Sequence, residues 1–102
     1  MIVSFTAHAE KDLDEIFAEI SKDSAVRAMR MIDKITRHAE KLADHRMIGR
    51  AVQEFQDESV REIQEKPYRI IYKIRIQDER IDVLTIHHAK RLLPSLHEID
   101  PR

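Results

Sequence analysis

The chain has 102 residues, no cysteine, one glycine, three prolines and a formal net charge of −1. That length makes a single domain, 1–102, able to bury one core without staples, and the missing cysteines exclude a disulfide framework and a thiolate metal site. No apolar run approaches the roughly 20 residues needed to span a bilayer, and the first residues lack the basic start and apolar stretch of a signal peptide. A cytoplasmic protein without membrane contact is therefore expected.

The charge is unevenly spread. Residues 1–21 hold five acids and one base, 22–46 seven bases and four acids, 47–65 five acids and two bases, and 66–91 seven bases and three acids. A near-neutral total argues against a general DNA or RNA binder, which carries a large positive excess. The basic strip at the end of the chain suits docking on other proteins instead.

In chain order, Ile2, Val3 and Phe5 predict a short strand ending at Thr6, whose hydroxyl can cap the helix that follows. Leu13, Ile16, Phe17 and Ile20 recur at the spacing of one buried helical stripe, and Lys11, Asp12, Asp14, Glu15 and Glu19 form the polar face. Lys22-Asp23-Ser24 is a turn, with Asp23 or Ser24 capping a second helix that runs to Leu42 or Ala43. Its seam is Ala28, Ile32, Ile35, Ala39 and Leu42. So short a connection makes the two helices an antiparallel hairpin.

Ala43 to Ser59 reads as a loop around Gly49, with Ile48, Val52 and Phe55 tucked onto the core. Three strands follow, at Val60–Gln64, Tyr68–Ile76 and Arg80–His88. The middle one alternates Tyr68, Ile70, Tyr72, Ile74 and Ile76 with Arg69, Ile71, Lys73 and Arg75, the period of two that marks a strand. Gln77-Asp78-Glu79 closes a tight hairpin, and Pro67 stands where it costs no ladder bond. The tail carries Leu92, Leu93, Leu96 and Ile99 and forms a short helix or turn, broken at Pro94. The order is β-α-α-β-β-β: an α+β fold in which an N-terminal helical hairpin covers one face of a small antiparallel sheet, leaving the opposite face partly open.

Reactive chemistry finds little purchase. The chain lacks a Ser–His–Asp signature, a glycine-rich phosphate loop and a paired-carboxylate motif. His87 and His88 are adjacent on a strand and point to opposite faces, so they cannot chelate one metal. No metal and no cofactor are expected. His8, His38 and His45 read as surface residues. Arg69 lies mid-strand, where pairing with Glu62 or Asp82 competes with any functional role; Arg61 carries the same ambiguity.

The chain resembles the RelE/ParE superfamily of toxins from bacterial type II toxin–antitoxin modules. The resemblance rests on Thr6, Ala9, Asp12 and Leu13 at the first helix, then Gly49-Arg50-Ala51-Val52-Gln53-Glu54-Phe55, Val60-Arg61-Glu62-Ile63, Pro67-Tyr68-Arg69-Ile70-Ile71-Tyr72 and Ile81 through Arg91. The wording of these pieces is nearer the ParE branch. That branch implies a protein-binding inhibitor of DNA gyrase that blocks replication and is neutralised by a cognate antitoxin wrapped on the helical hairpin. It assigns target contacts to Lys90, Arg91, His88, Arg61 and Arg69 with the tail from Leu92 to Ile99, and antitoxin contacts to Leu13, Phe17, Met29, Met31 and Ile35. The RelE branch implies instead a ribosome-dependent mRNA endonuclease. Arg69 and Arg91 match its phosphate-binding arginines and His97 stands where it uses a tyrosine, but Val60 and Glu62 occupy its lysine positions. A third possibility is a module that has lost toxicity and only binds antitoxin. None of these readings gives the isolated chain specific nucleic-acid recognition.

Overall fold

A computed structural model describes residues Met1–Arg102. The elements are β1 (Ile2–Phe5), α1 (Ala7–Ser21), α2 (Ala25–Glu40), β2 (Arg50–Ala51), β3 (Val60–Glu65), β4 (Tyr68–Arg75), β5 (Arg80–His88) and α3 (Leu96–Ile99). Both long helices begin at hydroxyl caps. The Thr6 side chain accepts from the Ala9 N–H, and the Ser24 side chain from the Arg27 N–H. Each satisfies one of the backbone donors that a helix start leaves free.

The five strands lie in the order β1-β5-β4-β3-β2. The β3–β5 part is antiparallel as the sequence predicts, and the two-residue β2, inside the segment read as a loop, adds an antiparallel edge beside β3. The first strand adds a parallel edge, Ile2 to Phe5 running beside Arg80 to Val83, so the sheet is mixed. The predicted middle strand ends one residue early, at Arg75. Ile76–Asp78 forms a turn of 3-10 helix, and Glu79 closes it with φ of 49°.

The helical hairpin packs on one sheet face. There Ile16, Ile35, Ala39 and Leu42 meet Ile70, Tyr72, Ile81 and Val83 in the main core. The other face is not left open as expected. Val52, Val60, Ile71, Leu84 and Ile99 form a second, smaller core, with Phe55, Leu93 and Leu96 against it. The loop and the tail thus cover apolar surface that one helical layer cannot reach. Ile99 is 1 % exposed, which makes the short α3 a lid on the sheet.

Ile48 departs from its predicted place and projects from the loop, 62 % exposed. The loop is held by its neighbours instead. Tyr72 Oη accepts from the Gly49 N–H at 3.1 Å and donates to the Arg46 carbonyl at 2.8 Å. The Gly49 carbonyl accepts from Arg61 Nε and Nη2 at 2.9 and 2.5 Å. A Cβ at Gly49 would lie 2.5 Å from both the Glu62 carbonyl and Tyr72 Oη, so only glycine fits this crossing.

Candidate functional site

The alternation in β4 turns Arg69, Lys73 and Arg75 toward the face away from the helical hairpin. They do not present a free row of cations. Arg69 donates Nε and Nη2 to the two carboxylate oxygens of Glu62, at 3.0 and 2.6 Å, and Nη1 and Nη2 to Glu54, at 2.7 and 2.9 Å. Lys73 pairs with Asp57 and Asp100, Arg75 with Asp82 and Asp100, and Arg80 with Asp82. Glu62 and Asp82 are buried carboxylates, 3 % and 4 % exposed, and need such partners because an unpaired buried charge is costly.

The electrostatics follow the geometry. Hydrogen bonds from Arg69 hold the Glu54 carboxyl down to about 2. Hydrogen bonds to Glu54 and Glu62 push the Arg69 guanidinium above its ordinary value. Burial alone would raise Asp82 and Asp100, but hydrogen bonds to each, from Arg75 above all the side chains, leave both below the usual carboxylate range.

This placement decides several predicted residues. Arg69 is a structural ion-pair hub, and its pairing with Glu62 is one of the two that the sequence offered. Arg61 is spent on the Gly49 carbonyl. The nuclease-type set is not assembled. Arg69 lines a concavity with Arg50, Glu54 and Glu62, Arg91 lines a separate one with Tyr68, His88 and Asp12, and His97 is exposed on α3. His87 pairs across the sheet with Arg69 and His88 with Tyr68. The Tyr68 and His88 rings meet edge to face at 5.7 Å. No group of three His, Asp or Glu side chains is placed to hold a metal ion.

The turn after β5 differs from the sheet. Lys90 and Arg91 are exposed and take no part in the ion pairs that absorb the sheet cations. Leu92 beside them is 96 % exposed, while Leu93 turns inward to the second core. Backbone bonds hold this tip in shape: Arg91 N–H to the His88 carbonyl at 3.0 Å, and Ala89 N–H to the Pro67 carbonyl at 2.9 Å. A contact between His87 Nε2 and the Arg91 carbonyl at 3.1 Å completes it.

A second exposed surface lies on the helical hairpin. Leu13, Phe17 and Ile32, with Glu10 and Asp14, line a shallow apolar groove of about 320 Å³. Phe17 is 37 % and Met29 62 % exposed. One residue expected there belongs elsewhere: Ile35 is fully buried in the main core, whereas Met31, like Leu13 and Ile32, is half-buried against that core.

Sequence reasoning passed over the role of Asp12. Its Oδ2 accepts from Thr85 Oγ1 at 2.5 Å and from the Ile86 N–H at 3.0 Å. The parallel neighbour β1 ends opposite Val83, so the next part of β5 has no strand on that side. Asp12 and the Thr6 hydroxyl, which donates to the Leu84 carbonyl at 3.1 Å, replace the missing ladder. The Thr6-to-Leu13 spacing is the only trace of this in the sequence.

These features define the class: a small α+β protein whose N-terminal helical hairpin packs on one face of a mixed five-stranded sheet. Its fold is shared with a chain of the chromosomal ParDE TA system from P. aeruginosa, at a TM-score of 0.72 and 19 % identity over 88 % of this chain and 97 % of that one. It is also shared with a chain of the toxin–antitoxin complex RelBE2 from Mycobacterium tuberculosis, at a TM-score of 0.64 and 18 % identity over 85 % and 95 %. No curated protein sequence matches the chain. The family model of the ParE toxin of type II toxin–antitoxin systems, parDE, matches residues 3–93, and the chain belongs to that family.

Proposed function

We propose that this ParE-family toxin acts by binding, with DNA gyrase as its target and replication as the process it blocks, and that a cognate antitoxin neutralises it by seating on the helical hairpin. The observation that carries the first part is the state of the cations. The arginine that a nuclease would need for phosphate, Arg69, is enclosed by Glu54 and Glu62. At the end of the sheet, Lys90 and Arg91 stay outside these ion pairs and immediately precede the protruding Leu92. Two cations beside an apolar knob suit a protein partner with an acidic rim and an apolar pocket.

The groove of Leu13, Phe17 and Ile32 supports the second part. An amphipathic antitoxin segment can place apolar side chains there at helical spacing. The solved relatives are themselves described as toxin–antitoxin systems or complexes.

The test is a supercoiling assay with purified gyrase and relaxed plasmid. Inhibition that one equivalent of cognate antitoxin reverses is the expected result, and it should weaken with Leu92→Glu. Untouched supercoiling overturns the gyrase target. Codon-phased cuts in a reporter mRNA that vanish with Arg69→Ala would move the chain to the RelE-type endonuclease. Tight antitoxin binding with no effect on growth would make it an antitoxin-binding module.

A further inference from the structure

The largest free concentration of charge lies away from both surfaces described above. Arg27, Arg30, Lys34, Arg37 and Lys41 are all exposed, four along α2 and the last at its C-cap. Their spacing of three, four, three and four residues keeps them within an arc of about 80° on a helix of 3.6 residues per turn. At about 1.5 Å per residue the stripe is roughly 21 Å long. Asp33 and Glu40 stand to one side of it by the same geometry. Arg37 alone has a partner, Asp33 at 3.1 Å, with both side chains well exposed. Such a surface pair is worth little and can be exchanged.

We infer that this stripe is a binding surface for the phosphate backbone of duplex DNA, gripped without regard to sequence. One strand of duplex carries a charge every 3.4 Å or so, and the stripe therefore runs along about six phosphates. Three of the five cations are arginines, whose planar fork matches a phosphate bidentately. The stripe holds no aromatic side chain on which unpaired bases could stack, which favours a duplex over a single strand. A protein partner would need an apolar anchor at the centre, and the arc has none. A bilayer would need the apolar side of α2, and Ala28, Ile35 and Ala39 are already buried in the core. An exposed helix face meets the wide major groove of B-form DNA more readily than the deep, narrow one of A-form RNA.

The overall charge of −1 argues against DNA binding by the chain as a whole, but not against binding by a local stripe. The balancing acids are held elsewhere, five of them on α1 and others inside the ion pairs of the sheet. A phosphate laid on the stripe touches its cations directly, while the acids of α1 stand on the neighbouring helix about 8–10 Å away, near the screening length of roughly 10 Å. Ile32, which lines the apolar groove, points to the opposite side of α2 by helical spacing, so an occupant of that groove leaves the stripe free.

The experiment is fluorescence anisotropy of a labelled duplex of mixed sequence with the purified chain, from about 50 to 200 mM salt. We expect binding indifferent to sequence, with log K falling against log salt at a slope of about −3 to −4. Arg30→Gln with Lys34→Gln should reduce that slope by about two and weaken binding at low salt more than tenfold. Arg27→Gln with Lys41→Gln is an independent pair expected to do the same. Both pairs are solvent-exposed, and an unchanged thermal melt shows that the fold is intact. Lys90→Gln with Arg91→Gln should leave DNA binding as it was. No binding at the lowest salt overturns the inference, as does a salt slope that neither stripe pair alters. Tighter, stripe-dependent binding to an A-form RNA duplex of the same sequence or to phosphatidylserine vesicles, or salt-sensitive self-association through the stripe, overturns the assignment to DNA.

Discussion

Arg69 and Glu62 face each other on neighbouring strands through two hydrogen bonds, of 3.0 and 2.6 Å, from one guanidinium to one carboxylate. Glu62 has 2 % of its side chain exposed and Arg69 12 %, so neither is well solvated apart from the other. Removing one partner of a buried pair strands the other charge. Arg69→Ala should therefore lower unfolding free energy by about 3 kcal/mol or more. Urea denaturation measures this, and a loss within a few tenths of a kcal/mol would show that Glu62 finds compensation, with Arg50 at 3.7 Å the nearest candidate.

The same network sets an acid limit. Glu54, Asp57, Asp82 and Asp100 all have carboxyl groups held below their ordinary values, Glu54 at about 2 against 4.5. For such groups the unfolded chain binds more protons, so the stability they contribute is complete above about pH 4.5 and is lost as pH falls toward the folded values. The urea midpoint should hold between pH 7 and 5 and drop steeply below about pH 4.5. In Arg69→Ala the part due to Glu54 should vanish, flattening the decline. A midpoint indifferent to acid would contradict the ion-pair assignment.

The sequence made the helices and the middle strands legible because their signals are local. Leu13, Ile16 and Ile20 repeat at helical spacing, and Tyr68 through Arg75 alternate. It could not reveal which cations were free. The pairing of Arg69 with Glu62 on the next strand was one of the two offered, but the further acids that absorb Arg69, Lys73 and Arg75, namely Glu54, Asp57 and Asp100, come from a loop and a tail remote in sequence. The covered second face was hidden for the same reason, since Ile99 lies far along the chain from the Ile71 and Leu84 it shields. Ile35 was misplaced because a helical stripe does not say which of its residues line the rim and which the floor. The tail from Leu92 to Ile99 read as one target-facing piece, but only Leu92 stands out, while Leu93, Leu96 and Ile99 turn inward to the second core.

Gly49 makes a further test. Gly49→Ala would bring a methyl group within 2.5 Å of the Glu62 carbonyl and Tyr72 Oη. Relief requires a backbone shift in the loop, because neither neighbour is the free end of a flexible chain. A loss of about 1–3 kcal/mol is expected, typical of overpacking a filled site. Tyr72→Phe keeps the ring but leaves the Gly49 N–H and the Arg46 carbonyl without their partner, costing about 1–3 kcal/mol. The double variant should lose less than the sum, since relaxing the loop for one change relieves the other.

Asp12 offers a local readout. Asp12→Ala removes the acceptor of the Ile86 N–H at a point where no strand replaces it. A destabilisation of about 2 kcal/mol follows from one orphaned buried donor together with the lost Thr85 bond. Hydrogen exchange separates this from a global effect: the Ile86 amide should lose protection more than those of the β3–β4 ladder.

The helical hairpin separates binding from folding most cleanly at two apolar positions. Phe17 is 37 % exposed in the groove with Leu13 and Ile32, and Ile35 is fully buried in the main core. A charge at Phe17 meets solvent in the free chain but an apolar segment in an antitoxin complex. Phe17→Glu should leave the melting temperature nearly unchanged while weakening antitoxin capture by about tenfold to a hundredfold, the range for losing one central anchor. Ile35→Glu places an unpaired carboxylate in the core and should prevent folding outright. Calorimetry with the cognate antitoxin distinguishes them: if Phe17→Glu binds as tightly as the unaltered chain, the antitoxin does not use this groove.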